Sequence, residues 1–152
     1  MIHGVNVKPL KRINDDRGWL MEMLRSDDDL FIDFGQLYIT SGKPGVVKGW
    51  HYHTKQTDHF VCVKGRALVA LYDAREDSPT YGEVNKFELS LEEPKLIQIP
   101  NFVYHGYKAL GDEEACIINC PTELYNYEKP DELRVDAYDN DIPFNWETGE
   151  IK

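Results

Sequence analysis

From Val5 to about Asn119, apolar and polar residues alternate in short runs, and Gly, Pro, Asn or Asp interrupts them roughly every eight to twelve positions. In an extended strand successive side chains point to opposite faces, so each run can bury one face and leave the other wet. Short strands at regular spacing with turn residues between them make an all-β sandwich or barrel. The pattern predicts strands over residues 18–24, 36–40, 46–53, 58–64, 66–73, 84–89 and 95–99, with two more around 104–110 and 115–120. Turns are expected at 42–45, 64–65, 77–79, 93–94 and 111–112. Helix is scarce, confined to one short turn capped by Ser26-Asp27-Asp28-Asp29 and another starting at Pro130-Asp131-Glu132.

At 152 residues the chain suits one domain with a real core. It is read as a single domain over 1–152, with a barrel core of about 18–120 and a C-terminal excursion over 121–152 whose Trp146 packs back on the barrel. An apolar fraction of 41% is incompatible with wholesale disorder. No window approaches the ~18 consecutive apolar residues of a membrane span. The start Met1-Ile2-His3-Gly4 carries no basic, then apolar, leader, so a soluble cytoplasmic protein without membrane contact is expected. Cys62, Cys116 and Cys120 lie among apolar neighbours and read as reduced thiols buried in strands. A formal charge of −10 with no basic stripe argues against a nucleic-acid partner. A small phosphorylated ligand needs only two or three local cations.

The most informative stretch runs from Gly45 to Gly65. His51 and His53 share a strand face, a second strand beginning near Asp58 returns beside them, and His105 follows a turn started by Pro100. Two more imidazoles and a carboxylate can thus converge near His51. The spacing resembles the two cupin motifs: Gly45, His51, His53, Asp58 and Gly65 match the first, with aspartate where glutamate is usual. Pro100 and His105 match the second in part, Phe102 and Ala109 replacing its glycine and asparagine. The implied fold is a cupin, a double-stranded β-helix or jelly-roll barrel with antiparallel strands.

Four segments in order resemble one cupin branch, the dTDP-4-dehydrorhamnose 3,5-epimerase family. They are Asp16-Arg17-Gly18-Trp19-Leu20-Met21-Glu22, Gly45 to His51, Asp73-Ala74-Arg75 with Ser78-Pro79-Thr80-Tyr81-Gly82, and Ile99-Pro100 to His105-Gly106. The resemblance implies proton exchange beside the ketone of a nucleotide-linked 4-keto-6-deoxy sugar, for a surface polysaccharide, with His51 as the base and no cofactor. Imidazole suits that role because it titrates near neutral pH. By position, Arg17 and Lys48 would hold the diphosphate, Glu22, Gln36 and Tyr125 would line the nucleotide pocket, and His105 would face the sugar. The family's N-terminal strand reaches into a neighbouring subunit, so a homodimer is implied in which Arg17 and Glu22 serve the partner's site.

Aligned on Thr122, the family's catalytic tyrosine falls on Asn119 and its enolate-steadying lysine on Asp58, and the chain ends before the distal segment whose aspartate orients the histidine. Tyr38, Tyr104, Tyr107 and Tyr125 are left as candidate acids. His51, His53, Asp58 and His105 are also donors suited to a divalent metal, which would supply the charge of the missing lysine. That alternative competes for His51, since a metal-bound imidazole is no longer a base. The alternative reading makes His53 and His105 pocket-lining or core histidines and Asp58 a carboxylate that orients one of them. Strict alternation sets Lys48 opposite His51 unless Gly49 introduces a bulge. His3 and His59 fall off the proposed inner face.

Overall fold

The computed structural model describes residues 1–152 and contains strands and turns but no helix. In chain order the strands are β1 (Asn6–Pro9), β2 (Arg12–Asp15), β3 (Gly18–Met21), β4 (Tyr38–Gly42), β5 (Val47–Tyr52), β6 (Asp58–Lys64), β7 (Arg66–Asp73), β8 (Val84–Ser90), β9 (Lys95–Ile99), β10 (Val103–Leu110), β11 (Ala115–Asn119), β12 (Leu133–Arg134), β13 (Phe144–Asn145) and β14 (Glu150–Ile151). One five-stranded sheet has the order β1-β9-β6-β11-β4 and a second the order β12-β5-β10-β7-β8. The pairings within both sheets are antiparallel. From β4 to β11 the chain changes sheet at each connection except the β7–β8 hairpin, which is the jelly-roll barrel of a cupin.

The crossing from β6 to β7 is made by Gly65 alone, at φ +67°, where a Cβ would lie 2.3 Å from the Glu114 carbonyl oxygen. Only glycine fits there. Between the sheets, Phe60, Val69, Leu71, Ile97, Ile99 and Ile117 form a main core with essentially no exposure. A second core forms on the outside of the second sheet, where Ile142, Phe144 and Trp146 fold back over Trp50 and Ala70. Strand β7 is therefore covered on both faces, as its apolar run Ala67-Leu68-Val69-Ala70-Leu71 requires. No helix of the chain is long and apolar enough to cross a membrane.

Three expectations are corrected. The barrel begins at β1, which pairs with β9, whereas β3 forms a separate hairpin with β2 outside the barrel, held by Arg12 stacked 4.4 Å over the Trp19 ring. Neither anticipated site becomes helix: residues 25–31 make two successive hydrogen-bonded turns ending at Phe31, as the short turn there required, whereas no turn forms at 130–132, where Asp131 is engaged with another loop. Asp28 accepts from the Arg25 amide and pairs with Lys8, and Asp131 accepts from the Thr54, Lys55 and Gln56 amides. All three cysteines are free, but only Cys62 is buried; alternation along β11 turns Cys116 outward while Ile117 and Asn119 face in, and Cys120, just past the strand, is half-buried.

Strands β5 and β10 meet at a glycine pair. A Cβ on Gly106 would lie 2.8 Å from Gly49 Cα, 2.9 Å from the Lys48 carbonyl oxygen and 3.0 Å from Trp146 Cζ2. Two of those atoms are backbone, so the clash cannot be relieved by a rotamer. Gly106→Ala is expected to cost about 1–3 kcal/mol, or a fall in Tm of roughly 2–4 °C per kcal/mol. Thermal denaturation against the wild type checks this; an unchanged Tm would refute the close approach.

Candidate active site

A cavity of about 350 Å3 opens between the two sheets. Tyr38 and Thr40 reach it from β4, Lys48 and His51 from β5, Phe60 from β6 and His105 and Tyr107 from β10. The segment after β11 crosses its mouth and adds Leu124, Tyr125, Asp131, Glu132 and Arg134. This strap is anchored where β12 pairs with β5, Leu133 opposite Tyr52 and Arg134 opposite His51. Volume and shape suit a small ligand.

At the floor lies Asp58, 1% exposed. Its Oδ2 faces His53 Nε2 at 3.0 Å and His105 Nε2 at 3.1 Å. Its Oδ1 accepts from Gln56 Nε2 at 2.6 Å and Asn119 Nδ2 at 2.9 Å. Burial alone would raise the carboxyl's pKa, but the hydrogen bonds from His105 and His53 outweigh it and hold Asp58 well below the usual carboxylate range. Burial likewise opposes a charge on His53, yet its bonds to Asp58 and to the Asp131 carbonyl raise it to about 9. The Nδ1 of His105 faces the Val103 carbonyl at 3.0 Å. Each imidazole is thus pinned at Nδ1 by a backbone oxygen and turned through Nε2 onto one carboxylate oxygen.

His51 stands apart from this cluster. Its ring centroid is 6.4 Å from that of His105, and its imidazole nitrogens have no hydrogen-bond partner within the chain. Burial first, then the neighbouring His105, lower its pKa to about 4, with Glu132 pulling the other way. It is neutral at neutral pH, the form a base requires, but weaker as a base than the near-neutral imidazole the sequence led one to expect.

The structure brings together His53, Asp58 and His105, whose ligand atoms lie within 4.8 Å of one another, and leaves His51 outside the group. Two imidazole nitrogens and a carboxylate oxygen fit a divalent metal by donor type. A metal held there would leave His51 free, so the two readings do not compete as the spacing alone suggested.

Lys48 lines the cavity, its Nζ donating to Thr40 Oγ1 and the Ser41 carbonyl, both at 2.9 Å. The expected bulge explains its side. Pairing of β10 with β5 runs from His105–His51 to Tyr107–Lys48, three steps on β5 against two on β10, which reverses the alternation. Gln36 also lines the cavity, its Oε1 accepting from the Tyr125 amide at 2.8 Å. Arg17 and Glu22 do not reach the cavity of their own chain. Arg17 sits exposed at the tip of the β2–β3 hairpin, paired with Asp15, and Glu22 pairs with Arg25 at 3.2 Å. Sequence reasoning missed Gln56, Asp131, Glu132 and Arg134 as site residues. Of the four candidate acids, Tyr38, Tyr107 and Tyr125 line the cavity and Tyr104 does not; Tyr38 does so beside Gln36 and Thr40, which share its face by alternation. Asp131 carried no signal, because it meets residues 54–56 only through the folded strap.

The family model for dTDP-4-dehydrorhamnose 3,5-epimerase matches residues 1–152. The chain is 49% identical over 136 residues to the probable low-salt glycan biosynthesis epimerase Agl13 of Haloferax volcanii, covering 88% of this chain and 87% of that protein. It is 45% identical over 148 residues to the spore coat polysaccharide biosynthesis protein SpsL of Bacillus subtilis, covering 97% and 98%. The crystal structure of a dTDP sugar isomerase from Desulfovibrio desulfuricans superposes with a TM-score of 0.91 at 31% identity, covering 99% of this chain and 95% of that one. An epimerase from Legionella pneumophila, solved in complex with dTDP-4-keto-L-rhamnose, superposes at 0.77 with 26% identity over 89% and 74%. A match along its whole length, relatives near half identity and a shared jelly-roll barrel together make this chain a member of the dTDP-4-dehydrorhamnose 3,5-epimerase family.

Proposed function

We propose that the chain epimerises a nucleotide-linked 4-keto-6-deoxy sugar, dTDP-linked in the first instance, in the making of a surface polysaccharide. The observation that carries this reading is His51, a neutral imidazole without a hydrogen-bond partner, facing the cavity of a family barrel. A carbon next to a ketone loses its proton when a base stands within reach and the enolate charge is met by nearby positive charge. His51 is the base. His53, charged through its bond to Asp58, and Lys48 supply positive charge on the cavity side. Were a divalent cation held by His53, Asp58 and His105, it would strengthen that field as a Lewis acid. The Legionella relative's ligand supports a nucleotide sugar as the partner. In this reading the sugar enters the cavity and the diphosphate lies toward Lys48, the cation at its wall. The cytoplasm, where nucleotide sugars are made, is the matching compartment.

We propose further that the working form is a homodimer. Trp19 and Leu20 on the β2–β3 hairpin and Phe34, Leu37 and Ile39 at β4 are exposed, and Phe34 and Leu37 border an apolar groove of about 290 Å3 on the outer face of the first sheet. Exposed apolar surface of this kind marks a protein interface. A second copy seated there would carry its Arg17 and Glu22 toward the neighbouring cavity, which accounts for their distance from their own.

Three outcomes are expected. His51→Ala abolishes solvent deuterium incorporation beside the ketone, by at least ~100-fold, while dTDP affinity by calorimetry changes little; lost binding with exchange unaltered would reject His51 as base. A mixed dimer of Arg17→Ala with His51→Ala recovers one working site of two, measured as activity above that of either parent; no recovery would place Arg17 outside the partner's site. Because the Asp58 cluster satisfies its own hydrogen bonds, exchange survives dialysis against a chelator. Loss of exchange that a divalent cation restores would instead make His53, Asp58 and His105 a metal centre.

A further inference from the structure

Inverting a carbon requires a proton to leave one face and another to arrive on the opposite face. His51 answers for one face only. Its strand, β5, belongs to the second sheet, so the second group has to come from the first sheet across the cavity. Three tyrosines line the cavity: Tyr38, Tyr107 and Tyr125. Tyr104 is not among them; its ring stacks on Tyr52 at 4.3 Å.

We infer that Tyr38 is the proton donor on the face opposite His51, held in position by Asn119, an assignment that rests on the epimerase reading above. Tyr38 starts β4 in the first sheet and pairs across the ladder with Asn119 on β11. The orientation of the Asn119 amide follows from its partners. The His59 amide N–H can only donate, and it meets Oδ1 at 2.8 Å; the amide nitrogen therefore faces both the Asp58 carboxylate and the Tyr38 hydroxyl, each at 2.9 Å. As Asn119 donates to the phenol oxygen, that oxygen's lone pair is engaged and its own hydrogen, with no acceptor in the chain, is free to enter the cavity. Burial, with the Asp58 charge behind it, disfavours the phenolate, so the hydroxyl keeps its proton until a stronger acceptor arrives.

The other tyrosines are placed less well. Tyr107 belongs to β10 in the second sheet, on the same side as His51, and its hydroxyl is engaged by Thr40 Oγ1 at 3.0 Å. Tyr125 belongs to the strap rather than to the first sheet, its ring leans on Tyr127 at 5.1 Å, and no side chain holds its hydroxyl. Asn119 thus stands where the resemblance expects a tyrosine and holds a tyrosine from the neighbouring strand instead. The step balances without a cofactor. His51 takes the proton next to the ketone, and the C–H electron pair forms the enolate C=C as the carbonyl π pair moves to oxygen. The enolate then reforms the ketone as its carbon takes the Tyr38 proton on the other face. The tyrosinate then regains a proton from solvent, and His51 gives up to solvent the one it took.

The test uses the intact enzyme with dTDP-4-keto-6-deoxyglucose in deuterated water, following deuterium incorporation and inversion separately. Tyr38→Phe is expected to lower inversion by at least ~100-fold while incorporation with retention continues through His51, and dTDP affinity is unchanged. A fluorinated tyrosine at position 38, ionising at lower pH, should move the alkaline loss of inversion downward and leave that of exchange in place, a shift that a purely structural role would not produce. Inversion within twofold of wild type in Tyr38→Phe, or joint loss of exchange and inversion, overturns Tyr38 as donor and leaves the epimerase reading standing. Wild-type protein that neither exchanges nor inverts this sugar overturns that reading, and Tyr38's role with it.

Discussion

A carboxylate at the centre of an apolar barrel is tolerated only if every lone pair it presents is met. Removing a charge from water costs several kcal/mol even after relaxation. Asp58 meets the condition with four donors: His53 at the end of β5, Gln56 in the following loop, His105 on β10 and Asn119 on β11. They come from both sheets, so the one group ties the two halves of the jelly roll together where the cavity opens. It also sets the direction of three side chains of the candidate site, His53, His105 and Asn119. Without Asp58 the two histidines lose the partner that aims them, and Asn119 loses the one that fixes its amide.

The strap after β11 extends this arrangement outward. Asp131 accepts from three consecutive backbone amides over residues 54–56 and from the Thr54 hydroxyl, while its own carbonyl holds His53. One residue thereby closes the loop between β5 and β6 and steadies the cluster beneath it. Glu132 and Arg134, an ion pair at 3.2 Å, then flank the cavity beside His51. A similar device ties down the loop after β7 at the same end of the barrel. Asp73 accepts from Arg75, Ser78 and Thr80, and Arg75 reaches the His3 carbonyl, so the Asp-x-Arg and Ser-Pro-Thr pieces that carry the family resemblance form a structural clasp outside the cavity lining.

Most of the barrel was readable because its signal is local. Residues 58–64, 66–73 and 95–99 are strands with the predicted bounds, each an alternating or doubly buried run ending at a turn residue. The misreadings share a cause. Strand β1 carries lysine and proline and is a strand only because β9 offers it an edge, and the hairpin of β2 and β3 looks like barrel sequence because its apolar residues are real, though they face away from this chain's core. The aspartates at 28 and 131 look like helix caps because capping and loop-closing draw on the same chemistry, a carboxylate accepting from backbone N–H.

By itself the sequence determined an all-β barrel and a family, and singled out His51 as the candidate base, since alternation, turn residues and motif spacing are properties of neighbouring positions. Tertiary structure alone decided how those groups relate. A single extra residue in β5 brought Lys48 to the same side as His51; three ligand-type groups closed on one another and left His51 outside; and Asn119 was found beside Tyr38. Each depends on which strands lie side by side and on the parity of a register, and neither quantity is written in the order of residues along one strand.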